Sequence, residues 1–108
     1  MSKLILVPII AGSRRSLLES LAEDLLKVFD TEIIFRAPWF DPAEALDKDR
    51  GQYNSTKLLQ RLSSPPFGNF WRVLGITQAD LYIPVLTYVF GEAQLDGPAA
   101  IISMHRLQ

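Results

Sequence analysis

The single histidine is the first side chain to test for chemistry, because histidine is a common ligand of catalytic metals. The sequence of 108 residues contains one histidine, His105, and no cysteine. A catalytic zinc takes three protein ligands and a water molecule, and the carboxylates near His105 lack the i, i+4 spacing that would place them beside it on a helix. The sequence therefore predicts no zinc site and no other cofactor in this chain. It favours a structural role for His105, with a metal shared between molecules as the alternative.

Residues 88–94 (YVFGEAQ) are a candidate binding segment. An exposed edge strand can bind an extended peptide through main-chain hydrogen bonds, and Gly91 removes a side chain at a point where a second backbone could approach closely. The alternative is an ordinary strand with a bulge at Gly91. The residues alone favour that ordinary strand.

Glu92 is the carboxylate of this segment and has two interpretations. It could act as a general base, but a base of this kind needs a metal-bound water to activate, and the sequence offers no set of metal ligands. The alternative is a solvated charge that discourages pairing between edge strands of different molecules. The missing ligands favour the solvated charge.

Two other patterns resemble functional motifs only superficially. Residues 50–57 (RGQYNSTK) lack the spacing G-x-x-x-x-G-K-[ST] of a phosphate loop and follow no clear strand, so a helix start at Asn54 explains them better. Ser13, Ser16 and Ser103 lack the context G-x-S-x-G, and with a single histidine the sequence supports no serine triad. We therefore assign no catalytic residue.

Composition limits the classes of partner. A net charge of −1 and a pI near 5.7 give no electrostatic case for nucleic acid. No apolar run reaches the roughly 20 residues of a membrane span. The start does not resemble a signal peptide, because its apolar stretch is short and Arg14 and Arg15 follow it. We expect a cytoplasmic protein. A hydrophobic content of 48% in a short chain hints that some surface meets another element.

Hydrophobic periodicity predicts the elements that position these residues. Residues 3–10 form an apolar run typical of a central strand buried on both faces, which implies a parallel or mixed sheet. Residues 16–29 predict a helix that Ser13 or Ser16 can cap, and Ser16 and Glu19 have capping-box spacing. Residues 32–36 predict a second strand, so these elements form a βαβ unit. The apolar face of the helix comprises Leu17, Leu18, Leu21, Leu25, Val28 and Phe29.

Capping signals predict two further helices. Asp41, Pro42 and Glu44 supply a cap, a first-turn proline and an acid, which together indicate a short helix over residues 42–46. Asn54 or Ser55 caps a longer one. Its buried side carries Leu58, Leu59 and Leu62.

The rest of the chain predicts three strands. Residues 70–76 form the third strand, and residues 80–84 form a short connector. Residues 87–95 and 99–104 form the fourth and fifth strands, and the dipeptide Asp96-Gly97 between them signals a tight turn. The last two strands are therefore expected to form an antiparallel hairpin.

Three stretches resemble the archaemetzincins, a metzincin-clan family of zinc metallopeptidases. They are KLILVPI (residues 3–9), RGQYNSTKLLQRL (residues 50–62) and the run LGIT..DLYIP....VFGEAQLDGPAA continuing through SMHRL. In that family a helix with HExxHxxGxxH follows the last stretch, and a cysteine cluster follows the helix. Neither motif occurs in this sequence. The resemblance thus implies a single domain, residues 1–108, that matches a truncated amino-terminal portion of the family.

The resemblance also implies a fold and a binding site. The fold class is α/β, with a twisted five-stranded mixed sheet in the order 2-1-3-5-4, an antiparallel strand 4 and two main helices. In metzincins strand 4 is the edge of the sheet, and an extended substrate pairs with it. The residues that the resemblance assigns to substrate binding are Tyr88, Val89, Phe90, Gly91, Glu92 and Ala93.

The function implied is that of a truncated or degenerate member of the family. The parent activity is peptide-bond hydrolysis, but the missing motif predicts an inactive chain. The alternative is a non-catalytic binding or assembly module that uses the exposed sheet edge. In the family the zinc-binding helix packs on the sheet, over residues 4–7, Ile101 and Ile102. Its loss would uncover apolar surface, so we expect a homo-oligomer.

Overall fold

The computed structural model describes residues 3–9, 20, 23–24, 27–28, 32–68 and 72–106. These residues contain two β-sheets, one α-helix that is described throughout and five positions of a second helix. The helix α1 spans Ser55–Leu62, and a short 3-10 helix spans Pro42–Ala45. The strands of these residues are β1 (Lys3–Ile9), β2 (Glu32–Phe35), β3 (Leu46–Asp47), β4 (Gln52–Asn54), β5 (Arg72–Thr77), β6 (Leu81–Ile83), β7 (Leu86–Val89), β8 (Gly91–Ala93) and β9 (Ala99–Ser103).

The main sheet has five strands in the order β2-β1-β5-β9-β8. The pairs β1–β2, β1–β5 and β5–β9 are parallel, and β8 runs antiparallel to β9. Apolar runs in β1 and β9 suit central strands whose two faces are both covered. β8 contributes only three residues and lies at the end of the sheet.

A second sheet, which the sequence analysis did not predict, has four short strands in the order β3-β4-β6-β7. The single strand predicted over residues 87–95 is wrong, because the chain there forms β7 in the second sheet and β8 in the main sheet. Residues 80–84 are not a plain connector either, since they contain β6. Strands of two to four residues show too little alternation to be recognised locally, and their partners decide them.

One face of the main sheet packs against α1. Asn54 caps this helix by accepting a hydrogen bond from the backbone N–H of Lys57. Both the predicted cap and the predicted buried side of the helix are confirmed. The buried cluster includes Ile5, Val7, Ile9, Val73 and Ile101 of the sheet and Leu58, Leu59 and Leu62 of the helix.

The opposite face carries a smaller cluster, in which Leu6 and Ile76 are buried. The expectation of an uncovered apolar face is wrong for most of the residues that it named. Residues 4–7 are all buried and Ile101 is 0% exposed, while Ile102 is half-buried. Part of the reason is that α1 covers Ile5, Val7 and Ile101.

The helix predicted over residues 16–29 is described at five positions only. Ser20, Glu23, Asp24, Lys27 and Val28 are helical there. Val28 was predicted on the apolar face but is 72% exposed. It lies near the border of that face, where a side chain can turn to solvent.

The other residues of the predicted apolar face lie outside the described part of the chain. They are Leu17, Leu18, Leu21, Leu25 and Phe29.

The short helix predicted near residue 42 is confirmed, and it is a 3-10 helix. Asp41 caps it by accepting a hydrogen bond from the backbone N–H of Ala43. Within the described ranges, no helix is long and apolar enough to cross a membrane.

Candidate functional site

The candidate site is the outer rim formed by residues 86–93, which we call the edge segment. It comprises β7, the last strand of the second sheet, and β8, the last strand of the main sheet. Phe90 is the one residue between them, so the chain passes from one sheet to the other at that point. All six residues that the resemblance assigned to substrate binding therefore lie on the rim, two of them in β7 and three in β8, with Phe90 between the two strands.

The backbone of β8 pairs with β9 through alternate residues. The carbonyl of Phe90 accepts from the N–H of Ser103 at 2.7 Å, and the N–H of Gln94 donates to the carbonyl of Ala99 at 3.0 Å. In an antiparallel ladder the residues between such positions direct their N–H and C=O groups to the other side. Gly91 and Ala93 therefore present their backbone groups away from β9.

Gly91 is required by the approach of β9. A Cβ atom at this position would lie 2.5 Å from the carbonyl oxygen of Ile101 and 3.2 Å from Cγ2 of Ile102. Its pairing with Ile102 continues the regular register of β8 on β9. The glycine thus has a structural cause inside the sheet, and the close backbone at this point is that of β9.

Glu92 points toward α1. Its carboxylate accepts hydrogen bonds from Ser55 Oγ and from Thr56 Oγ1, the latter at 3.0 Å to each oxygen. Ser55 and Thr56 are the first residues of α1, where the helix dipole favours a negative charge. The interpretation of Glu92 as a solvated charge is therefore wrong. The carboxylate is half-buried and fastens β8 to the start of the helix.

β7 is held by side chains that bind its carbonyl groups. Gln52 Nε2 donates to the carbonyl of Thr87 at 2.8 Å, and Arg50 Nη2 donates to the carbonyl of Leu86 at 3.1 Å. Arg50 Nε also donates to Gln52 Oε1 at 3.0 Å. The segment RGQYNSTK, which superficially suggested a phosphate loop, therefore supplies the hydrogen bonds that position the rim.

Asp80 lies behind this contact. Arg106 binds it through two hydrogen bonds of 2.9 and 2.8 Å, and Gln52 Nε2 donates to it at 2.8 Å. The Asp80 side chain is only 11% exposed. The hydrogen bond from Arg106 holds the pKa of Asp80 below its ordinary value, against the opposing effect of burial. Asp80 in turn raises the pKa of Arg106.

The aromatic side chains of the edge segment are accessible. Tyr88 is 38% exposed and Phe90 is 51% exposed. Their rings meet edge to face with centroids 5.5 Å apart, and the guanidinium of Arg106 lies 3.9 Å from the Tyr88 centroid. Exposed aromatic rings beside a free strand edge can contact the side chains of a bound peptide.

The described residues do not fit a zinc site. Across those residues, no three His, Cys, Asp or Glu side chains converge. His105 lies just after β9. Its ring atom Nδ1 is 3.2 Å from the carbonyl oxygen of Gln78, and its backbone N–H donates to Ser103 Oγ. These contacts support the structural role predicted for His105.

Sequence reasoning missed five polar residues that hold the rim, namely Gln52, Ser55, Thr56, Asp80 and Arg106. Gln52 and Ser55 are buried polar side chains, a type that needs a partner, but burial is invisible in the sequence. Of the serines considered as nucleophiles, Ser103 is buried and donates to the carbonyl of Ala79. Ser13 and Ser16 lie outside the described residues.

No protein-family model matches the chain. Curated archaemetzincins do match it. The protein from Methanopyrus kandleri is 46% identical over 66 residues, which cover 61% of this chain and 37% of the relative. The protein from Archaeoglobus fulgidus is 40% identical over 90 residues, or 82% of this chain and 52% of the relative. The chain thus spans about half the length, or less, of these relatives.

Solved structures show the same likeness over nearly the whole chain. The archaemetzincin of Archaeoglobus fulgidus, complexed with malonate, has a TM-score of 0.80 at 34% identity, with 98% of this chain and 63% of that one covered. The archaemetzincin of Methanopyrus kandleri has a TM-score of 0.82 at 33% identity, with 99% and 60% covered. A zinc-dependent peptidase from Methanocorpusculum labreanum has a TM-score of 0.75 at 26% identity, with 97% and 65% covered.

Proposed function

This chain is a homologue of the archaemetzincins that corresponds to part of their length, and from that premise we propose that it positions a peptide in an archaemetzincin-like peptidase. An extended peptide adds to β8 as a further strand, through main-chain hydrogen bonds. The observation that carries the proposal is the outer side of β8, which pairs with no described strand and toward which Gly91 and Ala93 direct their backbone groups. Two residues of one strand offer up to four hydrogen bonds to a partner backbone.

The side chains around this open edge favour an extended ligand with apolar groups. Tyr88 and Phe90 are exposed on the rim next to Gly91, and Leu86 is 51% exposed. Glu92 is bound to α1, so its charge is not free to repel an approaching strand. Main-chain bonds supply affinity that is independent of sequence, and the aromatic rings supply preference for apolar side chains.

We propose that this chain by itself does not cleave the peptide. Hydrolysis of peptide bonds belongs in this proposal to the complete archaemetzincin-like enzyme, which carries zinc. The sequence contains one histidine, and its ring contacts the Gln78 carbonyl. Metal analysis of the purified protein tests this point. One tightly bound zinc per chain that is lost in His105→Ala would contradict it.

Replacement of Ala93 tests the open edge directly. Ala93→Pro removes a backbone N–H that faces away from β9, so β8 keeps its pairing while a bound peptide loses a donor. The matched control is Ala93→Val, which keeps the N–H and suits a strand. The probe is an acetylated, fluorescein-labelled hexapeptide of alternating Thr and Val, titrated while backbone amide shifts are recorded by NMR.

We expect the peptide to shift the amides of Gly91 and Ala93 in the wild type and in Ala93→Val. Loss of a main-chain hydrogen bond of about 1 kcal/mol weakens binding about fivefold in Ala93→Pro. Equal affinity in all three proteins, or shifts that avoid β8, would show that the peptide does not pair there.

A second candidate is a non-catalytic assembly module in which the same edge pairs with another copy of the chain. The exposure of Leu86 and Phe90 favours it, since apolar side chains on a rim suit an interface. The burial of residues 4–7 and Ile101 removes the earlier basis for a homo-oligomer, so association stays a prediction. Sedimentation of the wild type and of Ala93→Pro at micromolar concentration distinguishes self-association from peptide binding. Only self-association gives the wild type a larger molecular mass than Ala93→Pro.

The cytoplasmic location likewise stays a prediction.

A further inference from the structure

β7, the first half of the edge segment, buries few of its side chains. Its four residues are exposed except Val89, which is half-buried. Among the described strands β7 pairs only with β6, and the register shifts between Leu81 and Ile83 of that neighbour. Apart from Val89, which packs against the main core cluster, packing and regular pairing contribute little to the position of β7, so directed side-chain contacts contribute more.

Two of those contacts converge on Asp80. Gln52 Nε2 bridges the Asp80 carboxylate and the Thr87 carbonyl, with 2.8 Å on each side. Arg106 binds the same carboxylate with two hydrogen bonds and places its guanidinium 3.9 Å from the centroid of the Tyr88 ring. One carboxylate thus orients both the donor that holds the backbone of Thr87 and the cation that holds the ring of Tyr88.

Asp80 is itself well anchored. Its carbonyl accepts from the N–H of Tyr53 in β4 at 2.9 Å. It follows Ala79, whose carbonyl accepts from Ser103 Oγ at 2.6 Å and whose N–H donates to Thr77 Oγ1. These bonds connect Asp80 to β5 and β9 of the main sheet and to the second sheet. It can therefore transmit the position of the main sheet to β7.

We propose that Asp80 is a positioning residue of the edge segment. Through Gln52 and Arg106 it fixes Thr87 and Tyr88, and because only Phe90 separates β7 from β8, it sets the direction in which the rim meets a peptide. The proposal rests on the proposed function, since it concerns the same binding edge. It adds a residue behind the rim that does not touch the peptide.

Asp80→Asn is the principal test. The amide keeps the size of the carboxylate but removes the charge that binds Arg106 with two hydrogen bonds. The matched control is Glu44→Gln, which makes the same charge change at an exposed ion pair with Arg61. Both variants are studied at a temperature where circular dichroism shows them fully folded, with the Thr/Val hexapeptide as the probe.

Two readouts are expected to change in Asp80→Asn and to stay constant in Glu44→Gln. The NMR signals of the Arg106 side chain, shifted in the wild type by the Tyr88 ring, move toward values for a free arginine. The dissociation constant of the peptide rises about tenfold, as it does when the binding-competent arrangement falls to about a tenth of the population. A stabilising role alone would leave both readouts of the folded protein unchanged.

The pattern of variants separates the two ideas. Peptide affinity that falls in Ala93→Pro but is unchanged in Asp80→Asn would overturn the role of Asp80 and leave the edge as the binding site. No binding by the wild type, or no effect of Ala93→Pro, would remove the proposed function and this inference with it. If Asp80→Asn does not fold, Arg106→Gln replaces it. Arg106→Gln should remove the contact with the Tyr88 ring and weaken binding of the peptide. Unchanged peptide affinity in this variant would refute the proposal.

Discussion

The main sheet and β7, the outer strand of the second sheet, are held in different ways. The main sheet encloses apolar side chains such as Val7, Ile9 and Ile101, which are fully buried against neighbours that include α1. In the second sheet β7 depends on hydrogen bonds from Arg50 and Gln52 to its carbonyl groups. Apolar burial is non-directional and contributes mainly to the free energy of folding. Directed bonds contribute less energy, but they set the orientation of an exposed strand.

The comparison teaches where function and stability separate on this molecule. The rim that we propose to bind peptide includes β7, which is scarcely buried, and β8, which is three residues long. Binding edges must remain accessible, so they cannot be stabilised by burial on every side. Substitutions in the core should therefore change the free energy of unfolding, and substitutions in the polar contacts should change the rim more than the stability.

The largest effect is expected from truncation of the core. Ile101→Ala removes a fully buried side chain between the sheet and α1, which should lower the free energy of unfolding by about 2–5 kcal/mol. The control is Leu86→Ala at the exposed rim, with an expected change within about 0.5 kcal/mol. Urea unfolding followed by circular dichroism measures both. Similar losses of stability in the two variants would mean that the core of the main sheet and the exposed rim do not differ as described.

A smaller effect is expected from an added methyl group in the core. In Gly75→Ala the new Cβ would lie 2.6 Å from Cδ1 of Leu62 and 3.1 Å from Cδ1 of Ile9. Both tips are enclosed in the core, so we expect a loss of about 1–3 kcal/mol in thermal unfolding. Gly68→Ala meets no atom within 4 Å and serves as the control. A loss in Gly68→Ala as large as in Gly75→Ala would show that the close contacts with Leu62 and Ile9 are not the cause.

Removal of the Gln52 side chain, which links Asp80 to β7, tests whether β7 depends on polar contacts. Gln52→Ala deletes the donors to Asp80 and to the Thr87 carbonyl, with an expected loss of about 0.5–1.5 kcal/mol. Gln60→Ala on the exposed side of α1 is the matched control, and we expect it to be near neutral. Hydrogen exchange should show faster exchange in β6 and β7, with β1 and β5 unaffected. Uniform acceleration across both sheets would argue against a local role.

The smallest effect concerns pH. The folded-state pKa of Asp80 is lowered, chiefly by the hydrogen bond from Arg106, so the folded protein binds a proton there less readily than the unfolded chain. The resulting stability is fully present above the unfolded pKa of about 3.9 and is lost as the pH falls through the folded value. Asp80→Asn should therefore unfold with a shallower pH dependence below about pH 4. Parallel acid-unfolding curves for the two proteins would contradict this.

Much of the fold could be predicted from local patterns. The apolar runs of β1 and β9 and the capping of α1 by Asn54 each depend on residues close together in the chain. These features follow from short-range sterics and from the periodicity of apolar side chains. The archaemetzincin likeness came from matching stretches of sequence, and that resemblance, not a local pattern, placed the candidate binding residues at a sheet edge.

Tertiary structure alone decided how the candidate site is held. Three features of the site depend on contacts between residues that are distant in sequence. They are the division of one predicted strand between β7 and β8, the hydrogen bond between Ser55 and Glu92, and the hydrogen bond between Gln52 and Asp80. These contacts span 37 positions for Glu92 and Ser55 and 28 for Gln52 and Asp80. A carboxylate or an amide has the same local pattern whether it is solvated or bound. Its role depends on which partners the folded chain brings within about 3 Å.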